Sequence, residues 1–135
     1  MIRLFANSRG NTTVEFAMVA PAFLSMLFLT IEGGRMVWTN QALKDVAFAT
    51  ARCMTVDAAT CDTDAKRKTF AVTHAARSGI TLAAADVTIQ PNVTCDSNPA
   101  QNRVTVTEAF NSPVTGFFEA MPQNIVTHAC FPVLS

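Results

Sequence analysis

The sequence has no excess of either charge. Ten Lys+Arg stand against ten Asp+Glu in 135 residues, so overall charge gives no argument for a nucleic-acid partner. Charge of any sign is sparse, at 15%, and with a remainder rich in Ala, Thr and Val this excludes a disordered tail and a coiled coil. Histidine occurs only as His74 and His128, far apart and without a neighbouring nucleophile motif; both read as surface or packing residues. No phosphate-binding loop, catalytic nucleophile or metal-ligand set stands out, so the reading is of a non-enzyme without a cofactor. Length points to a single domain. What the chain does have is an uneven distribution of apolar residues: they fill thirteen of the sixteen uncharged positions from Phe16 to Ile31.

Asn11 to Ile31 is 21 residues, and at about 1.5 Å rise per residue a helix of that length crosses the roughly 30 Å hydrocarbon layer. Phe23 to Leu29 is apolar all round, and nothing later in the chain is large enough to enclose it as a core helix. Arg3 and Arg9 precede the run, whereas Glu32 and Arg35 cancel just after it. The positive-inside bias therefore keeps the N-terminus cytoplasmic and places residues 36–135 outside. A cleaved secretory signal fits less well, because Thr30-Ile31-Glu32-Gly33-Gly34 offers no small-x-small cleavage site.

Gly10-Asn11-Thr12-Thr13-Val14-Glu15-Phe16 puts a glycine at the end of a short basic leader and a carboxylate at the mouth of the apolar run. An acid deep in a membrane helix costs on the order of 2.5–3.5 kcal/mol, less near the helix N-terminus, where headgroup water and the macrodipole help. Glu15 sitting at the interface is one explanation. The other is that the arrangement resembles the class III signal of type IV pilins and pseudopilins, which prepilin peptidase cuts after the glycine on the cytoplasmic side. That resemblance implies cleavage between Gly10 and Asn11, retention of the apolar helix, and Glu15, followed by the aromatic Phe16, as a group that sets the register between subunits. Pro21 lies inside the helix and cannot donate to the carbonyl of Ala17, so a kink is expected there. Gly33 and Gly34 lower helix propensity at the far end and mark a second flex point.

Further landmarks are Glu32-Gly33-Gly34-Arg35, Ala51-Arg52-Cys53 and Ala129-Cys130-Phe131-Pro132. With the leader, these resemble the TadE-like proteins, the pseudopilins or minor pilins of the tight-adherence (Flp) type IV pilus system. One departure is Gly33, where relatives carry a bulkier residue before the Gly-Arg pair. The resemblance implies a prepilin peptidase substrate of the bacterial inner membrane that works with other pilin or pseudopilin subunits, an inner-membrane assembly platform, a secretion ATPase and membrane lipid. The competing readings are a single-pass envelope protein whose ectodomain binds a ligand or surface, and a membrane-anchored enzyme. The organisation expected is a leader at 1–10, a transmembrane helix at 11–35 and an extracytoplasmic stalk and domain at 36–135.

Met36, Leu43, Ala47, Thr50 and Met54 follow helical spacing, so the helix is predicted to continue as an amphipathic stalk to about Met54. Asp62 is placed to cap a second helix through Phe70 and Ala75, ended by Gly79. Val87/Ile89, Val104/Val106 and Ile125/Thr127/Ala129 read as three short strands, with Pro91, Asn98-Pro99, Pro113 and Pro122 at their boundaries and a helical turn between Pro113 and Ala120 presenting Phe117 and Phe118. The fold class is therefore α+β, a pilin-like order of long helix, second helix and small antiparallel sheet. Residues 36–135 hold only 27 Val, Ile, Leu, Phe, Met or Trp, a thin supply for a core, so covalent support is expected. Four cysteines permit three pairings, of which Cys53–Cys61 with Cys95–Cys130 is favoured. A fully helical 53–61 would hold its ends roughly 12 Å apart, beyond the ~7 Å Cα limit of a disulfide, so that pairing requires the chain to turn back through residues 57–60. The cysteine spacings match no zinc pattern. Lys66-Arg67-Lys68 reads as a solvated face, with anionic headgroups or a partner subunit as the weaker option, and the sequon Asn92-Val93-Thr94 carries no weight.

Overall fold

A computed structural model of the protein describes residues 11–57, 59–112 and 122–134. The leader to Gly10 and the Pro113–Ala120 turn, with Phe117 and Phe118, lie outside the described residues. The element order is helix α1 (Asn11–Val56), helix α2 (Asp64–Arg77), a 3-10 turn (Ala84–Asp86), and strands β1 (Val87–Cys95), β2 (Asn98–Ala109) and β3 (Asn124–Pro132). The strands form one antiparallel sheet in the order β1-β2-β3. The architecture is α+β. The chain divides into two compact units, one up to Arg35 and one from Met36.

In the first unit α1 is exposed along its apolar length, and helical structure runs through Pro21 and through Gly33-Gly34. Side-chain hydroxyls satisfy themselves on the same helix: Ser25 Oγ donates to the Pro21 carbonyl at 2.7 Å and Thr30 Oγ1 to the Met26 carbonyl at 2.8 Å. This is how such groups are accommodated without water. The run ends in an ion pair, with Arg35 Nη1 donating to both carboxylate oxygens of Glu32 at 3.0 Å.

The second unit is built on the periodicity of α1 beyond Met36. Leu43, Val46, Ala47, Thr50 and Ala51 are buried, the i, i+3, i+4, i+7, i+8 stripe of a helix with one covered face. They share a core with Ala71 and Ala75 of α2 and with Ile80, Leu82, Val87, Val104, Val106, Phe110 and Ile125. Thr50 is tolerated there because its hydroxyl donates to the Val46 carbonyl at 2.7 Å. Across the sheet, Val87 pairs with Val106 and Val106 with Thr127, while Ile89 pairs with Val104 and Val104 with Ala129. Alternate residues of all three strands thus form rows on the core face.

α1 ends at Val56, in keeping with a stalk running to about Met54. Three expectations are corrected. The cap of α2 is Thr63, not Asp62: its side chain accepts from Lys66 N at 3.4 Å. Asp62 instead binds Lys66 Nζ at 2.9 Å, and that hydrogen bond holds its carboxyl below the usual range. The basic run is not simply solvated, because Arg67 Nε donates to the Cys61 carbonyl at 2.8 Å and its Nη1 to Asp64 at 2.6 Å, fastening the loop to the helix. Finally, Pro91 and Pro99 lie inside strands. Pro91 sits on edge strand β1, at a register shift beside Asn92 with φ 52°, and Pro99 precedes the part of β2 that pairs with β3. Neither position asks proline for a central ladder hydrogen bond.

At the other end of α2, Gly79 adopts φ 74°. Its N–H reaches the Ala76 carbonyl at 3.0 Å, and Ile80 N reaches Ala75 at 3.1 Å. This Schellman pair stops the helix where only glycine meets little steric cost.

Candidate functional site

The residues singled out at the start of the chain stand on α1. Asn11 opens the described helix, Glu15 and Phe16 follow on exposed positions, and Gly10 lies outside the described residues. Met18 and Val19, one turn beyond Glu15 at i+3 and i+4, share its side of the helix and are exposed. No charged residue follows Glu15 until Glu32. This helix is long and apolar enough to cross a membrane, and none of its apolar window is buried by the rest of the chain. Such a surface in water would expose a continuous apolar cylinder, whereas in lipid or among like helices it is solvated or packed. Glu32, by contrast, is only 4% exposed, and its charge is met by Arg35 one turn on.

The cysteines are all paired. Cys53 joins Cys61 with a Cα separation of 5.9 Å, and Cys95 joins Cys130 at 6.4 Å. The first bond closes a tight return: Cys61 N donates to the Asp57 carbonyl at 3.0 Å, and Thr60 N to Asp57 Oδ1 at 3.2 Å. The second joins the two outer strands of the sheet. Next-nearest strands in a flat sheet lie about 9–10 Å apart, so the end of the β1–β2 hairpin curls toward β3. Register shifts between Gln90 and Cys95, and positive φ at Asn92 and Ala100, provide that curl. A polar chain through buried Asn102 supports it: Asn102 accepts from Asn92 N at 3.3 Å and donates to Thr55 Oγ1 at 3.0 Å, which in turn donates to the Pro132 carbonyl at 3.1 Å.

Around the second disulfide the fold gathers side chains that sequence reasoning had kept apart. The ligand atoms of Cys95, Asp96 and Cys130 lie within 4.8 Å of one another, and His128 Nε2 is 3.9 Å from Asp96 Oδ1. Counting cysteine spacings alone hid this group. The available signals were the Cys95-Asp96 adjacency and the His128-x-Cys130 alternation, which puts both on one face of a strand. The other histidine does not join it: His74 packs against Phe70, with ring centroids 5.9 Å apart, and faces Asp45 at 3.8 Å.

Residues 10–52 match the family described as TadE-like protein. The match begins at Gly10, takes in Glu15, the apolar run, Glu32-Gly33-Gly34-Arg35 and the buried stripe of α1, and stops one residue before Cys53. No curated protein and no solved structure matches the chain. The apolar run of spanning length lies within the matched segment.

Proposed function

We propose that the protein is a pseudopilin or minor pilin, cut by prepilin peptidase between Gly10 and Asn11 and needed to assemble a tight-adherence pilus, hence for surface adhesion. The observation that carries this reading is the TadE-like match, which starts at the glycine of the leader and runs through the apolar helix. In this reading residues 1–10 are the leader, 11–35 the inner-membrane helix with a cytoplasmic start, and 36–135 the extracytoplasmic part. Cutting creates an α-amino group on Asn11, at the positive end of a helix dipole, and Glu15 stands one turn along. In a bundle of like helices the Glu15 carboxylate meets that amino group on a neighbouring subunit, fixing the axial register because an unpaired charge among apolar helices is costly. Phe16 and the helix beyond it pack against the same neighbours, and Pro21, Gly33 and Gly34 give the helix its places to bend. Partners are the peptidase, other pilin subunits, the assembly platform and lipid.

Co-expression with a prepilin peptidase followed by intact-mass measurement is expected to show loss of residues 1–10. Full-length protein under every condition overturns the proposal and favours a single-pass envelope protein with a binding ectodomain. Glu15→Ala is expected to leave cleavage intact while lowering the amount recovered in sheared filaments or assembly complexes by about tenfold or more.

A further inference from the structure

We propose that Cys95, Asp96, His128 and Cys130 form a site for a zinc-like divalent cation when the Cys95–Cys130 bond is reduced. This corner of the sheet then holds either a disulfide or a metal ion, never both.

The two halves of the site come from separate elements. Cys95 ends β1 and Asp96 opens the hairpin turn, while His128 and Cys130 lie two apart on β3 and so project to one face. The bond between Cys95 and Cys130 already sets their Cα atoms 6.4 Å apart, and the Asp96 carboxylate falls within 4.8 Å of both sulfurs. His128 Nε2 stands 3.9 Å from that carboxylate. Tetrahedral zinc, with Zn–S of about 2.3 Å and Zn–N or Zn–O of about 2.0–2.2 Å, spaces its ligand atoms roughly 3.3–3.8 Å apart. The group is therefore gathered before any metal arrives; once the bond is reduced, side-chain rotations that part the two sulfurs to about 3.8 Å and turn exposed Asp96 and His128 inward complete it.

Donor chemistry selects the ion. Two thiolates, an imidazole and a carboxylate suit a borderline-soft cation such as Zn²⁺ and not Mg²⁺ or Ca²⁺, which take oxygen ligands. Around a divalent ion this set carries one net negative charge. Arg103 lies directly opposite Cys130 in the β2–β3 register, and its buried Nε has no hydrogen-bond partner among the described residues; its positive charge offsets that of the complex. Access is one-sided. Cys95 is 1% exposed, whereas the side chains of Asp96 and His128 are 73% and 44% exposed, so an ion enters from their side.

The exchange balances with a thiol reductant. Two external thiols reduce the bond, leaving as their own disulfide and giving the protein two thiols. Metal binding then releases both thiol protons as the sulfurs coordinate as thiolates.

The test uses the full chain in detergent micelles carrying Cys53→Ser and Cys61→Ser, so that only this pair is redox-active. After reduction and removal of the reductant under anaerobic conditions, Co²⁺ titration is expected to give one equivalent bound, with sulfur-to-cobalt charge-transfer and tetrahedral absorption bands that Zn²⁺ abolishes. The oxidised protein is expected to show neither band. Asp96→Ala and His128→Ala are each expected to weaken binding by about tenfold or more. Absence of the charge-transfer band, or a band unchanged by Cys95→Ser, overturns the proposal. A second measurement uses the wild-type chain: Zn²⁺ is expected to slow re-formation of the Cys95–Cys130 bond, read by peptide mass mapping, and an unchanged rate in a chain that keeps its sheet by circular dichroism counts against the site. A reduced chain that loses its sheet and does not regain it with Zn²⁺ overturns it as well.

Discussion

Thr127 shows what a single hydroxyl does in a small core. It occupies the third place in the row Val87–Val106–Thr127, is 4% exposed, and its Oγ1 has no hydrogen-bond partner among the described residues. An unmet buried hydroxyl costs about 1–3 kcal/mol, and valine has its shape without that cost. Thr127→Val is expected to stabilise the protein by about 1 kcal/mol, read as a rise of several degrees in Tm. Glu108 carries a different penalty. Burial, and then the nearby negative charge of Asp86, push its carboxyl above the ordinary value of 4.5. The native state therefore holds this proton to higher pH than the unfolded chain does, so stability is greatest below that value and falls as pH rises through the raised one. Glu108→Gln is expected to flatten thermal-melt profiles across this window and to raise Tm modestly at neutral pH, with no change at low pH where the wild-type side chain is already neutral.

The β1–β2 hairpin turns on Asp96-Ser97, with φ 47° and 70°, between the paired residues Cys95 and Asn98. Positive φ at both central positions is the signature of the type I′ turn, which matches strand twist but favours Asn-Gly or Asp-Gly. Serine at the second position pays a left-handed penalty of roughly 1–2 kcal/mol that glycine avoids. Ser97→Gly is expected to stabilise by about 1 kcal/mol, seen as a higher denaturant midpoint with an unchanged m-value. The same turn explains why the hairpin was hard to read. Without glycine the turn carries no strong signal, and Pro91 and Pro99 look like strand ends, although an edge position and a bulge leave them room. The helices are easier cases. The stripe from Leu43 to Ala51 and the stop at Gly79 each follow from local rules, while choosing Thr63 over Asp62 as cap depends on which residue first leaves helical geometry.

At the scale of the whole molecule, much of the buried set is alanine, threonine and valine, side chains that bury little area each, so cross-links matter. By loop-closure entropy, the separation of 8 residues at Cys53–Cys61 corresponds to about 2.5 kcal/mol, and the separation of 35 at Cys95–Cys130 to about 3.8 kcal/mol. Replacing Cys95 and Cys130 by serine is therefore expected to lower Tm more than replacing Cys53 and Cys61; the reverse order would show that fastening the end of α1 outweighs loop length. The sequence by itself determined the apolar helix, the stalk stripe, the second helix and the alternating strands, because each depends on a period or a run that any short window displays. Only the tertiary structure decided that Asp96 and His128 flank the Cys95–Cys130 bond, that Arg67 fastens the Cys61 loop, and that Asn102 ties the bulge at Asn92 to Thr55. These contacts depend on strand register, and register here turns on bulges and positive-φ residues that are not glycine, which no residue type announces in advance.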